Sequence, residues 1–386
     1  MYVVVGISFL FILGFAISEP VRPLFIAQVG ATTLELGLIM ALPSLVSVLT
    51  RVPASAMADR LGRWRMVLLS LMLSVATTAM FALIDDPVWF YPVVSLSALS
   101  WAVFSPITMV VVSEQSTPAT RGVFMGLYFT AIAAALLGGP LLCSLFTLIL
   151  SLRQLLLASA AFPLLALTVF LLARPRDMEQ DRRIDEPEVE MGGSSWVSLA
   201  RIFRIKNVIA LCCARVAFSL SMGVFSTLFS VYAVGTLGFA PSLIALLFSF
   251  RGLTNVLIRM PAGQLSDRVG RRKPFIIAYG INVLVFALLA YAENLTLLAV
   301  TMALYGVGWG MRIAPSTALL SESVTSEDRP LAMAAFMTMW DVGFTIGALL
   351  SGFTAAFIST PTMMLLCAPI IFSALMVFIL LSTETI

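Results

Sequence analysis

The sequence contains no histidine, and only 11% of its 386 residues are charged, against about 25% in ordinary soluble domains. The absence of histidine excludes a histidine-based catalytic triad and a histidine proton relay, so we expect carboxylates to carry any proton chemistry. No nucleophile–base pair, nucleotide motif or metal-ligand cluster is visible, so we expect no enzyme, metal or cofactor. The cysteines lie in apolar runs and are expected to be small buried residues: Cys143, Cys212, Cys213 and Cys367.

Apolar residues, in contrast, are abundant: 60% of the chain is hydrophobic and the mean hydropathy is +1.03. Runs of ~20 apolar residues can each cross a bilayer core, and helices are the expected element because lipid offers backbone groups no hydrogen bonds. We predict an all-α membrane protein with twelve transmembrane helices in two pseudo-symmetric six-helix bundles. The predicted spans are about 2–28, 33–57, 65–84, 88–112, 122–150, 153–173, 207–234, 241–263, 274–293, 296–320, 330–356 and 361–382.

The stretch between the two sets of spans is polar. It is acidic in its middle and then rich in glycine and serine, which is typical of a solvated linker. Residues 196–204 are interpreted as an amphipathic helix on the membrane surface or, equally, as an extension of the seventh span. The predicted domains are an N-terminal bundle at 1–173, a cytoplasmic linker with this short helix at 174–206, and a C-terminal bundle at 207–386.

One pattern occurs twice in the chain. Residues 51–65 and 259–273 both run from an arginine through Pro-Ala to Asp-Arg and a burst of positive charge. The same offset of 208 residues aligns Trp101 with Trp309, Glu114 with Glu322, Arg121 with Arg329, and Gly139 with Gly347. A repeat of whole helix bundles is typical of transporter folds.

Positive charge is distributed unequally between the two sides of the predicted bundle. The loops that follow even-numbered spans, together with the linker, carry nearly all of the loop arginines and lysines, whereas the opposite loops hold only Arg153. Positively charged loops stay in the cytoplasm. We therefore expect a plasma or inner-membrane protein with both termini cytoplasmic.

The segment from Gly263 to Arg272 resembles the signature loop of the major facilitator superfamily, between the second and third helices of each half. The resemblance covers the whole chain, although Ser55 stands at the glycine position of the first copy. It implies a monomeric transporter whose repeated loops form a cytoplasmic gate. By this resemblance, the gate residues of the first copy are Asp59, Arg60, Arg63, Glu114 and Arg121. Those of the second copy are Asp267, Arg268, Arg271, Glu322 and Arg329. The alternative is that these arginines only set the topology.

The physical chemistry of these loops gives three expectations. Asp59 and Asp267 are placed to satisfy free N–H groups at the start of a neighbouring helix. The loop arginines are expected to pair with Glu114 and Glu322. Gly263 should allow close helix contact.

Charged residues inside the spans that lack a charged counterpart at the 208-residue offset form a separate class. Residues that build the scaffold should occur in both copies of the repeat, whereas a site for one asymmetric solute need not. A charge within the bilayer also costs about 3 kcal/mol, even on the scale from membrane-insertion experiments, which gives the lowest values. The candidates for substrate binding or proton coupling are Glu19, Arg22, Arg215, Arg251, Arg312 and Asp341. Arg51 and Arg259 match each other and are assigned to the scaffold.

Two roles compete for these charges. Glu19 and Asp341 can carry protons, and the arginines attract anions. Alternatively, the charges pair internally, Glu19 with Arg22 and Asp341 with Arg251 or Arg312, and bind no ligand. The two prolines that flank Glu19 and Arg22 are expected to kink the first helix.

The leading functional prediction is proton-coupled efflux of a small amphipathic or anionic organic solute by alternating access. The expected partners are that solute, protons and membrane lipid. An organic-anion or nutrient symporter, a lipid or lysolipid flippase and, last, a non-transporting sensor are the alternatives. Nucleic acid is not expected, because the central basic charges are sparse and buried. Gly138–Pro140 resembles part of the antiporter signature of drug exporters, but Cys143-Ser144 replaces the expected glycine pair and 88–112 lacks the usual arginine.

Overall fold

The computed structural model describes residues 1–117, 120–173 and 200–384. At residues 51, 52, 54–60 and 121 it describes the backbone but not the side chain. Most of the predicted linker and of its amphipathic helix, and the side chains of Asp59, Arg60 and Arg121, therefore lie outside the described residues, and those predictions stand as they were.

Helices account for all the regular secondary structure in the described ranges. In the first half they are α1 Tyr2–Ser18, α2 Arg22–Gln28, α3 Thr33–Leu61, α4 Arg63–Ala82, α5 Phe90–Glu114, α6 Arg121–Phe146, α7 Leu152–Ser159 and α8 Ala161–Ala173, with a short 3-10 helix at Pro87–Trp89 before α5. In the second half they are α9 Lys206–Gly235, α10 Pro241–Val269, α11 Arg272–Leu289, α12 Leu295–Glu322, α13 Arg329–Thr354 and α14 Thr360–Leu381. The prediction of an all-α fold is confirmed.

The number of membrane spans depends on how the first two helices are counted. Within the described part, 11 helices are long and apolar enough to cross a membrane, and α1 with α2 makes a twelfth span if this bent pair is one crossing. The two helices meet at 47°. Pro20 lies in this break and Pro23 in the first turn of α2, in line with the predicted kink, because a proline removes a backbone donor and clashes with the preceding turn. The break also separates Glu19 from Arg22, so the two do not lie on one continuous helix.

The chain divides into two compact units. One comprises Met1–Glu186 with Ala233–Ser249, and the other Pro187–Tyr232 with Phe250–Ile386. The predicted domain limits at residues 173 and 207 remain a prediction, because most of the linker is outside the described residues.

The repeat is visible in the backbone as well as in the sequence. Glycines with positive φ occur in register, Gly30 (103°) with Gly238 (74°), and Gly62 (92°) with Gly270 (89°). The helix N-caps are also in register. The side chain of Asp86 accepts a backbone N–H at a helix start, as that of Asn294 does, and Ser151 matches Ser359 in the same way. Each pair differs by 208 residues, so the two copies share turn geometry that the sequence repeat alone did not establish.

Close helix packing within each unit depends on glycine. Gly139 on α6 meets the backbone of α1 at Ala16, and its counterpart Gly347 on α13 meets the backbone of α9 at Leu220. Small residues let membrane helices approach when the hydrophobic effect supplies little drive for association. A Cβ added at Gly263 would meet only the Ala314 side chain among the described residues, at 4.0 Å, so the expectation that this glycine allows close helix contact is wrong.

Candidate functional site

The two signature loops hold ion pairs in matching positions. Arg63 at the start of α4 pairs with Glu114 at the end of α5. Arg271, 208 residues later, pairs with Glu322 at the end of α12 through its Nε atom at 3.1 Å. Both arginine side chains are 18% exposed. The predicted pairing is therefore present in both copies, and it ties the signature loop to the end of a neighbouring helix in each unit.

Arg271 makes further contacts around the second loop. Its guanidinium also pairs with Asp267, one turn earlier on α10, and donates to Ser266 Oγ at 3.4 Å. The hydrogen bond with Asp267, followed by that with Glu322, raises the pKa of Arg271 above its ordinary value. Because the pKa is higher in the folded protein, the charged guanidinium contributes its full stabilisation below the pKa of the unfolded state. That contribution is lost only as the pH rises through the folded-state pKa. Arg271 consequently stays charged at any physiological pH.

Asp267 does not accept the N–H groups at the start of α11, the next helix along the chain. Its carboxylate accepts from the Arg271 side chain instead. The backbone N–H groups of Arg271 and Arg272 donate to Glu384, which follows the last helix. No sequence signal pointed to that residue.

The remaining gate candidates whose side chains are described lie near these pairs. Arg268 is exposed at the end of α10. Arg329, at the start of α13, donates from Nε to the carbonyl oxygen of Ser321 at 3.2 Å, one residue before Glu322. Arg329 and Arg271 are thus both anchored at the cytoplasmic end predicted for α12.

In the first unit, Arg22 lies at the start of the bent half-helix α2. Its guanidinium carbon is 4.4 Å from the centre of the Phe15 ring and 5.7 Å from that of Phe81. It borders a small cavity that Ser18, Thr77 and Ser97 also line. The buried Arg22 Nε has no hydrogen-bond acceptor among the described residues. Glu19, at the end of α1, is close enough for its charge to act on Arg22.

In the second unit, Arg251 on α10 and Arg312 on α12 are buried, with 5% and 2% of their surface exposed. The Arg312 guanidinium lies 3.8 Å from the centre of the Phe218 ring and 5.5 Å from that of Trp340. The Arg251 guanidinium is 5.2 Å from Trp309. Both arginines therefore face aromatic rings of their own unit rather than the lipid-facing surface.

Arg215 and Asp341 complete this group. The guanidinium of Arg215, on α9, lies 4.1 Å from the Phe336 ring and 5.3 Å from Trp340. Asp341, on α13, is 7% exposed, and its charge acts on Arg215, as does the charge of Arg312. The predicted pairing of Asp341 with Arg251 or Arg312 stays a prediction.

The aromatic rings join these charges into one cluster. Phe218 has its ring centre 6.4 Å from Trp309 and 6.0 Å from Trp340, and the two tryptophans are stacked at 6.2 Å. We call Arg215, Arg251, Arg312, Asp341, Phe218, Trp309 and Trp340 the arginine–aromatic cluster. A cation over an aromatic face gains about 0.5–2 kcal/mol, which is less than the cost of burying the charge.

The arginine–aromatic cluster carries excess positive charge and contains hydrogen-bond donors without acceptors. Three of its side chains are guanidinium cations and one is a carboxylate. The buried Nε atoms of Arg215 and Arg312 have no hydrogen-bond acceptor within the described ranges. Leaving such a donor unsatisfied costs about 1–3 kcal/mol. An anionic group that accepts from these nitrogens would recover that cost.

Comparison with known proteins assigns the family. The family model described as Major Facilitator Superfamily matches residues 4–239 and again residues 211–385. The chain belongs to the major facilitator superfamily. It is a membrane transporter and not an enzyme, and the resemblance of the signature loops is confirmed at the level of the whole chain.

Two relatives and one solved structure share less than a quarter of their aligned residues with this chain. An uncharacterized transporter of the same superfamily from Methanocaldococcus jannaschii is 19% identical over 90% of this chain and 89% of its own. Multidrug resistance protein 2 of Bacillus subtilis is 24% identical over 76% of this chain and 73% of its own. Among solved structures, the nucleoside transporter NupG superposes with a TM-score of 0.81 over 99% of both chains at 15% identity. That likeness shows the fold.

Proposed function

We propose that this chain exports a small amphipathic or anionic organic solute, driven by the proton gradient. The observation that carries the proposal is the arginine–aromatic cluster, in which buried guanidinium donors lie beside flat apolar rings. A solute with an anionic group and an aromatic or apolar body fits both kinds of side chain, because the guanidinium fork binds carboxylate or phosphate and the rings accept the apolar part.

Proton coupling is assigned to the two intramembrane carboxylates. Glu19 lies at the break between α1 and α2, and Asp341 lies in the cluster beside Arg215. A carboxylate that exchanges a proton changes the charge next to an arginine, and with it the attraction for an anion. Alternating access then links proton entry to solute exit. The multidrug name of the Bacillus subtilis relative supports export.

The repeated ion pairs are proposed to act as the cytoplasmic gate. Arg63 with Glu114, and Arg271 with Asp267 and Glu322, lie at the helix ends that the charge distribution places in the cytoplasm. Exposed pairs are each worth about 0.2–1 kcal/mol. That magnitude biases a two-state equilibrium without locking it.

The test is transport by purified protein in liposomes. The panel contains aromatic carboxylates, aromatic phosphonates, cationic dyes of similar size and a spin-labelled lysolipid, each with and without an imposed proton gradient. Gradient-driven movement of aromatic anions against their concentration supports the proposal. Movement of solute together with protons indicates a symporter, and movement of the lysolipid alone indicates a flippase. Transport of cationic dyes with no anion transported would contradict the proposal.

A further inference from the structure

The carboxylate of Glu384 lies on the backbone of the second signature loop. Its Oε1 atom accepts the N–H of Arg271 at 2.5 Å and the N–H of Arg272 at 3.3 Å. Without Glu384 these N–H groups, at the start of α11, would have no partner within the helix, and its negative charge also meets the positive end of the helix dipole. Glu384 therefore stabilises the position from which α11 begins.

The loop is shaped for this contact. Gly270 has a φ of 89°, a left-handed conformation that side chains with a Cβ rarely adopt. A Cβ at this position would also collide with the Glu384 carboxylate at 2.5 Å. The glycine is thus needed both for the turn and for the close approach of the acid.

The segment that carries Glu384 is itself fixed by two neighbouring helices. Arg272 donates to the Ser382 hydroxyl at 3.1 Å and to the carbonyl oxygen of Ile379. Asn207, 6% exposed, accepts from the Thr383 N–H at 2.9 Å and donates to the Thr383 carbonyl at 3.2 Å. We call Ser382–Glu384 the strap.

The strap connects to the gate through Arg271 and through the end of α12. Arg271 presents its N–H to Glu384 and its guanidinium to Asp267 and Glu322. Asn207 also donates to the Ser323 hydroxyl at 2.9 Å, one residue beyond Glu322. The strap thus contacts Arg271 directly and is linked through Asn207 to the end of α12, next to Glu322.

We propose that Glu384 is a positioning residue for the gate: it fixes the backbone of Arg271 so that the guanidinium meets Glu322 and Asp267. This inference rests on the gate role proposed for Arg271. The first copy has Arg176 at the corresponding position, so this acid belongs to the second loop alone. Transport is then controlled unequally by the two loops, and the second loop depends on the strap.

Two measurements on the full-length protein test this proposal without any solute. The first is hydrogen exchange of the Arg271 and Arg272 amides. Glu384→Ala should speed their exchange about tenfold, the equivalent of one hydrogen bond to a charged group. Glu384→Gln keeps an acceptor oxygen and should give a smaller increase. Thr383→Ala keeps both backbone bonds to Asn207 and serves as the matched control, with exchange like the wild type.

The second measurement separates positioning from general stabilisation. Thermal midpoints are determined for Arg271→Gln, Glu322→Gln and the double variant, once with Glu384 and once with alanine at that position. The non-additivity of the two substitutions reports the energy that couples Arg271 to Glu322. If Glu384 positions Arg271, this non-additivity is present with Glu384, disappears in the Glu384→Ala protein and persists in Thr383→Ala.

Unchanged amide exchange in Glu384→Ala would show that the strap does not bind the loop, and would overturn the proposal. Faster exchange with an unchanged coupling would reduce Glu384 to a helix cap and would also overturn it. A panel in which no anion is transported contradicts the proposed solute, but leaves both strap measurements interpretable. The two proposals can therefore fail separately.

Discussion

The two copies of the repeat agree in their turns, caps and loop ion pairs, and differ in their buried charges. Gly62 matches Gly270 in φ, and the pair of Arg63 with Glu114 matches that of Arg271 with Glu322. The second unit has an arginine–aromatic cluster on α9, α10, α12 and α13, whereas the unshared candidate charges among the described side chains of the first unit are Glu19 and Arg22, at a bent helix. We infer from this difference that the shared features build the bundle, and we propose that the unshared charges serve one asymmetric solute.

The largest expected effect comes from removing a charge of the cluster. Arg312→Gln should lower solute transport at least about tenfold, the loss expected for one charge-assisted hydrogen bond. Arg259→Gln is the matched control, because Arg259 belongs to the repeated pattern and donates to Asn255 on its own helix at 3.0 Å. Rates are compared in liposomes at equal protein content. Equal losses in the two variants would contradict the distinction between shared and unshared charges.

Substituting the carboxylates should remove the coupling of transport to protons without stopping the movement of solute. Asp341→Asn is expected to abolish acceleration by a proton gradient, because its side chain no longer exchanges a proton, while solute exchange without a gradient continues. Glu19→Gln tests the same role in the first unit. The measurement is counterflow beside gradient-driven transport. Gradient-driven transport that survives in both variants would remove these residues as proton carriers.

Packing glycines should behave alike in the two copies. Gly347→Ala places a methyl group against the backbone of Leu220, and Gly139→Ala does the same at Ala16. Each should cost about 1–3 kcal/mol of stability through overpacking, seen as a lower thermal midpoint. Gly280→Ala, which faces open space, is the control and should not destabilise. A large effect in only one copy would show that the scaffold is less symmetric than the repeat indicates.

The smallest effect is expected at the first loop ion pair. Arg63→Glu puts two carboxylates together and should slow transport by about two- to fivefold, since exposed pairs contribute 0.2–1 kcal/mol. Glu114→Arg in the same chain restores opposite charges and should recover most of the rate. Transport rates of the single and double variants provide the check. No recovery in the double variant would mean that Arg63 acts through something other than this pair.

The repeat and the hydropathy were sufficient to predict the fold, and the loop pairs followed from the 208-residue offset. Side-chain contacts that depend on how the helices pack could not be predicted from the repeat or from hydropathy. Which of Arg215, Arg251 and Arg312 lies nearest to Asp341 depends on the rotation of α9, α10, α12 and α13, which hydropathy does not fix. Sequence offered Asp267 as an acid for the start of a neighbouring helix, because it lies at a helix end. Glu384, more than a hundred residues away, takes that role only because α14 ends beside the loop.

The central claim is that the unshared buried charges bind the solute, and its most direct test is equilibrium binding. Once the liposome panel has identified a transported aromatic anion, its affinity for purified protein is measured by calorimetry for the wild type, Arg312→Gln and Arg259→Gln. The account predicts binding weakened at least about tenfold in Arg312→Gln and unchanged in Arg259→Gln. Wild-type affinity in Arg312→Gln would contradict it.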